Sequence, residues 1–155
     1  RWYWRANSLE ELSVLEERVR RCFEAGALAT GTELTITPES KPYAEFRTDE
    51  RALAAYRRNA IERGRVFADP ATAGRMNRAS TDMGNVSQLV PAIHPYIGVD
   101  SAPYGNHQKE FAAACVGPVA ERALLDGATV LAWTAIDTVA ERIATESAIN
   151  EGVTA

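Results

Sequence analysis

Residues 1–38 run RWYWRANSLEELSVLEERVRRCFEAGALATGTELTITP, and this stretch sets the expected fold. Trp2 and Trp4 alternate with Tyr3 and Arg5, the two-residue period of a strand. Ser8 and Glu11 then make an S-x-x-E capping box. Behind it, Leu12, Leu15, Val19, Cys22 or Phe23, Gly26 and Ala29 recur at helical spacing, while Glu16, Glu17, Arg20 and Arg21 line the other side. Gly31 suits the helix end, because glycine tolerates the left-handed conformation found there. Thr32 to Thr37 alternates again, with Leu34 and Ile36 on one face, until Pro38 stops it. Strand, helix, strand is the expected order. A strand beginning at Arg1 needs a neighbour, and the chain starts without methionine. The sequence is therefore expected to open partway through a larger α/β fold.

Working outward, a second helix is expected from Asp49 to Arg63, with Thr48 as its N-cap and Gly64 as its stop. Its buried stripe reads as Leu53, Tyr56, Ala60 and Ile61. Arg65 to Ala79 is polar and loop-like, with a turn signal at Asp69-Pro70. Leu89-Val90 and Ile93 to Val99 read as short buried strands. A loop with Pro103 and Gly105 leads to His107, and a short helix follows from Gln108 to about Val116. Gly117-Pro118 breaks the chain, proline being well suited to a first helical turn. The last helix is expected from about Val119 to Glu146, with Leu124, Ala128, Leu131, Ala135 and Val139 repeating every three or four residues and Leu125, Ile136 and Ile143 beside them. The tail after Ser147 is expected to fray.

The bulk numbers narrow the function. The 155 residues suffice for a real core, with 46% hydrophobic and 25% charged residues in the ordinary globular range. A formal charge of -4 and a pI near 5.3 argue against nucleic-acid binding, which needs a basic face. Neither a bilayer-length apolar run nor a signal peptide is apparent in the sequence, so the expectation is a cytoplasmic protein without a membrane partner. Cys22 and Cys115 fall in helical patterns without metal-ligand or redox spacing, and are expected to be buried and reduced.

Few residues can carry chemistry. His107, in Gly105-Asn106-His107, precedes a helix, a rigid mount for a zinc-ligating imidazole; an ordinary surface histidine is the alternative. Ser80-Thr81-Asp82-Met83-Gly84-Asn85 suits a loop that approaches a ligand with its backbone, and equally a turn satisfied by its own side chains. Asp82 is a candidate to orient a metal-bound histidine. His94, held extended between Pro91 and Pro95, faces either substrate or a neighbouring loop. No nucleophile elbow, P-loop, H-E-x-x-H or dinucleotide fingerprint is present in the sequence.

Together, Ser80-Thr81-Asp82-Met83-Gly84-Asn85-Val86-Ser87, Val90-Pro91-Ala92-Ile93-His94-Pro95, Asn106-His107 and the long Ala-rich helix resemble the C-terminal part of the dinuclear-zinc aminoacylase, carboxypeptidase and amidohydrolase family. The branch that looks nearest holds aminobenzoyl-glutamate hydrolases and β-alanyl dipeptidase-like enzymes. Leu28-Ala29-Thr30-Gly31 and its surroundings look like the second half of that family's lid, or dimerisation, domain.

The resemblance implies a remnant of an α+β lid domain over residues 1–47 and the C-terminal part of a zinc-hydrolase catalytic domain over 48–155. It implies two zinc ions in the intact parent, one of them held by His107. Ser80, Thr81, His94 and Arg5 fall at substrate-binding positions, Arg5 as a candidate for the substrate carboxylate. The implied reaction is hydrolysis of the amide bond in small N-acyl or aminoacyl amino acids or dipeptides, by a homodimer. The family's H-x-D motif, paired glutamates and general base lie upstream of the lid and are not in this sequence, so no catalytic residue is assigned here and the chain alone is expected to be inactive. The alternative is a non-catalytic interaction or dimerisation piece.

Overall fold

The structure, a computed structural model, describes residues 1–67 and 80–153, with side chains through residue 149. The expected turn at Asp69-Pro70 lies outside the described residues. Those that are described divide into two compact units, one of residues 1–47 and 80–90, the other of 48–67 and 91–153.

The first unit is built on α1 (Leu9–Thr30). Its start follows from the capping box: the Glu11 amide donates to Ser8 Oγ at 3.1 Å, and Glu11 Oε2 accepts from the Asn7 amide at 3.0 Å. Its end follows from Gly31, at φ 64°, with Thr32 N donating to Ala27 O at 3.0 Å. Trp2 packs edge-on against Phe23 with ring centroids 5.9 Å apart. Trp4, Val19, Phe23 and Ile36 share a small cleft on the same side of the helix. Phe23 thus joins the half-covered stripe, while Cys22 is exposed. Behind the motif loop, α3 (Met83–Ser87) is a single short turn of helix where a loop was expected.

The second unit is a helix pair. In α2 (Glu50–Glu62), Asp49 caps the N-terminus by accepting from Ala52 N at 2.8 Å, one residue later than the expected Thr48. The residues buried on α2 are Ala55, Tyr56, Asn59 and Ala60; Leu53 and Ile61, expected in the stripe, are exposed. After α4 (Lys109–Ala114), α5 (Pro118–Val153) begins at the expected proline and runs beyond Ser147, where fraying was expected. Tyr56, Ala60 and Val130 form the core, with Ile93 packed against them.

Three expectations need correction. Among the described residues there is no strand, so the sheet half of the α/β expectation is not formed. A strand exists only through hydrogen bonds to a neighbour. Residues 1–5, 32–37 and 93–99 run without such a ladder, and Leu89 and Val90 instead close the turn after α3 on Val86 O at 3.0 and 3.1 Å. Second, α5 turns Ala123, Asp126, Val130 and Thr134 inward, and the expected stripe of Leu124, Leu131 and Val139 outward. Polar partners on α2 decide this. Asn59 Nδ2 donates to Asp137 Oδ2 at 3.0 Å and Thr134 Oγ1 at 3.4 Å, and Arg58 reaches Glu141 at 3.5 Å. Third, both cysteines are exposed rather than buried, because each falls on the outer side of its local helix or turn. By length and composition alone, Pro118–Ile149 is also apolar enough to cross a bilayer, with a mean hydropathy of 1.3 over its most apolar window, contrary to the expectation of no such run.

Candidate functional site

In the first unit, the Ser80–Ser87 motif divides into two halves with different work. The second half grips the extended segment before α2. Asn85 Oδ1 accepts from Ala44 N at 2.8 Å, and its Nδ2 donates to Pro42 O at 3.3 Å. Buried Ser87 accepts from Arg47 N at 2.9 Å and donates to Gly84 O at 2.7 Å. Gln88 Nε2 donates to Glu45 O at 2.6 Å. The approach is so close that a Cβ at Gly84 would lie 2.0 Å from Ala44 O, so only glycine fits there. These bonds satisfy backbone groups that otherwise have no ladder.

The first half of the motif is open. Ser80 and Asp82 are exposed and Thr81 is half-buried. Thr81 Oγ1 donates to Asp82 Oδ1 at 3.4 Å and accepts from Met83 N at 3.2 Å, a local turn that starts α3. Arg5, from the extended N-terminal segment, donates from Nη1 to Ser80 Oγ at 3.1 Å. The two residues are 75 positions apart, and a neutral hydroxyl does not itself offset the guanidinium charge. Arg5, Ser80, Thr81 and Asp82 thus form one exposed polar group. Among the described residues, Asp82 hydrogen-bonds Thr81 and not a histidine.

The two histidines stand in the second unit. His94 is exposed, with its ring edge-on to Tyr96 at 5.9 Å. His107 is exposed two residues before α4, in a left-handed backbone at φ 70°. A non-glycine residue in that conformation carries a cost on the order of 1 kcal/mol, and such residues cluster at functional sites. The local turn is held by Gly105 N donating to Gln108 Oε1 at 3.0 Å. Among the described residues no three His, Cys, Asp or Glu side chains come together. Zinc needs three or four ligands, so these residues do not hold the ion by themselves.

Sequence reasoning missed the most strongly coupled charges in the second unit. Asp126, buried on α5, accepts from Arg63 Nη2 at 2.6 Å and Nε at 3.1 Å, and pairs with Arg65 Nη2 at 3.0 Å. The Arg63 hydrogen bond, opposed in part by burial and aided by the charges of Arg65 and Arg122, holds its carboxyl below the usual carboxylate range. Arg65 Nη1 also donates to Gly98 O at 3.3 Å. A shallow cleft of about 280 Å³ beside this network is lined by Arg63, Pro118, Glu121, Arg122, Leu125 and Asp126, and includes none of the expected site residues. The available signal was Asp126 and Asp137, acids spaced to share one face inside an Ala-rich helix.

Against this geometry, comparison with known proteins is informative. The chain is 36% identical over 140 residues to the "Xaa-Arg dipeptidase" of Mus musculus, covering 89% of this chain and 32% of the relative. It is 35% identical over 138 residues to the "Xaa-Arg dipeptidase" of Homo sapiens, covering 89% and 31%. The similarity is to part of a dipeptidase. The chain spans about a third of the length of these curated relatives. No family model matches it.

Proposed function

We propose that this chain is the C-terminal part of a zinc-dependent dipeptidase of the aminoacylase and amidohydrolase type. The observation that carries the reading is the 36% identity to an Xaa-Arg dipeptidase over 89% of the chain. The substrate class is a small dipeptide or aminoacyl amino acid, and the relatives' name favours one ending in a basic residue. In the intact protein the remaining ligands and the general base come from outside this sequence. The extended segments 1–5 and 32–37 become strands of the lid domain, where they find neighbours, and the protein works as a homodimer.

The chain's own residues then have distinct tasks. His107 presents an exposed imidazole on a left-handed turn ahead of α4, a fixed mount for one zinc ligand. Zinc supplies a polarised carbonyl and an acidified water when bound. Arg5, hydrogen-bonded to the neutral Ser80 hydroxyl, binds the substrate's terminal carboxylate through a charge-assisted hydrogen bond. Thr81 and Asp82 border the same group, and His94 is a further substrate-binding residue.

The test is made on the complete product of the source gene. We expect hydrolysis of Xaa-Arg dipeptides, two zinc ions per chain, and loss of one with His107→Ala, together with a fall in kcat of at least about 100-fold. Arg5→Ala is expected to raise KM, with zinc content unchanged. A complete product that contains no zinc and cleaves no dipeptide would favour the non-catalytic interaction role.

A further inference from the structure

α5 carries two different faces. The inner one, against α2, is small or polar: Ala123 is 1% exposed and Val130 0%, with buried Asp126 and Thr134 between and beyond them. The outer one is large and apolar: Leu124 is 71% exposed, Leu125 64% and Ile136 66%, with Leu131, Val139 and Ile143 also open. At 100° per residue these six side chains fall within one arc of the helix, and Ala128, Ala132 and Ala135 fill the gaps between them. From Leu124 to Ile143 the arc is about 30 Å long. A helix whose large apolar residues face away from α2 and from Ile93 and Ile97 is one made to be covered on both sides, and an exposed apolar strip of this length marks an interface.

We infer that this outer face of α5 is a seam against the part of the longer dipeptidase chain that lies outside this sequence. The inference rests on the function proposed above. The occupant is indicated by coverage: the chain accounts for 31–32% of the relatives it matches, so about two thirds of such a chain has no counterpart here. The small alanines between large aliphatics suit a continuous apolar layer laid close along the helix. A span across a bilayer fits less well, because it would carry Asp126 with Arg63 and Arg65, and Asp137 with Asn59, into the hydrocarbon.

The test is thiol accessibility. With Cys22 and Cys115 changed to serine, Leu131→Cys and, separately, Leu124→Cys are made in the 155-residue chain and in the complete gene product, and labelled with a maleimide. We expect fast labelling in the short chain and labelling slower by roughly tenfold or more in the complete product, where the thiol is reached only by opening. Equal rates in a complete, folded, zinc-containing product overturn the seam and leave the dipeptidase reading standing. A gene product no longer than this chain overturns the dipeptidase parent, and the seam with it. Two further results overturn the seam alone: dimerisation of the short chain that protects Leu131→Cys, which assigns the face to a second copy, and flotation of the short chain with phosphatidylcholine vesicles, which assigns it to lipid.

Discussion

Replacing Gly84 with alanine tests the account of the motif most directly. The new Cβ would sit 2.0 Å from Ala44 O and 3.0 Å from its carbonyl carbon. A carbon beside a carbonyl oxygen rests no closer than about 3.3 Å, so the two backbones must part by more than about 1 Å. The obstacle is backbone on both sides, and no side chain can rotate away. Overpacking of this kind costs about 1–3 kcal/mol. The displacement also strains the bonds from Ala44 N to Asn85 at 2.8 Å, from Arg47 N to Ser87 at 2.9 Å and from Gln88 to Glu45 O at 2.6 Å, each worth about 1 kcal/mol. A loss of about 2 kcal/mol in local opening energy is the central expectation, and it makes the Ala44 and Arg47 amides exchange with deuterium about thirtyfold faster. Amide exchange by NMR is the right assay, because each unit can open on its own and a single melting temperature would blend them. If both amides keep their protection within about twofold in Gly84→Ala, the clasp is wrong.

Other outcomes follow from the helix pair and the caps. Val130→Ala removes two methyl groups from a fully buried site and should cost about 2 kcal/mol in denaturant unfolding of the second unit, read through Trp133 fluorescence. Asp126 has a folded pKa below its ordinary value, so its stabilising contribution is full above about pH 4 and is lost as pH falls through the depressed value; Asp126→Asn should lower stability at neutral pH and flatten the acid limb of the pH profile. Burial raises the Tyr56 phenol above its ordinary pKa, so folding loses this contribution as pH rises past about 10, and Tyr56→Phe should remove that alkaline loss in a pH-jump unfolding series. Ser8→Ala should destabilise α1 by about 1 kcal/mol, seen as reduced helicity by circular dichroism.

Local signals were legible in the sequence, and pairing was not. Ser8, Glu11, Gly31, Gly64 and Pro118 act on backbone within a few residues of themselves, so they place helix ends without knowledge of the rest. The faces of α5 needed a partner. Periodicity picks out the most apolar arc, but it cannot say whether that arc meets α2, when Arg63, Arg65 and Asn59 are waiting there for Asp126, Thr134 and Asp137. The strands failed for the same reason, since alternation at Trp2 and Leu34 describes a surface and not a neighbour. At the candidate site, the Ser80–Ser87 string was visible as a motif, but its division into a clasp and an open polar group depends on contacts about 40 and 75 positions away. The left-handed backbone of His107 was not legible, because histidine, although enriched in that region, adopts it in only a minority of cases.

The clasp also governs the order in which the chain can fold as it is made. Ala44 waits for Asn85, 41 residues later, while α2 is synthesised in between and belongs to the other unit. At ordinary translation speeds that is an interval of about 2–8 seconds. Through it, the segment from Pro42 to Arg47 lacks its bonds to Asn85, Ser87 and Gln88, and α2 lacks both Ile93 and α5. The first unit can therefore close only after α2 has been made, and the nascent chain carries an uncovered helix face until α5 follows. A helper that shields such surfaces during synthesis should raise the yield of folded chain more than one that acts after release.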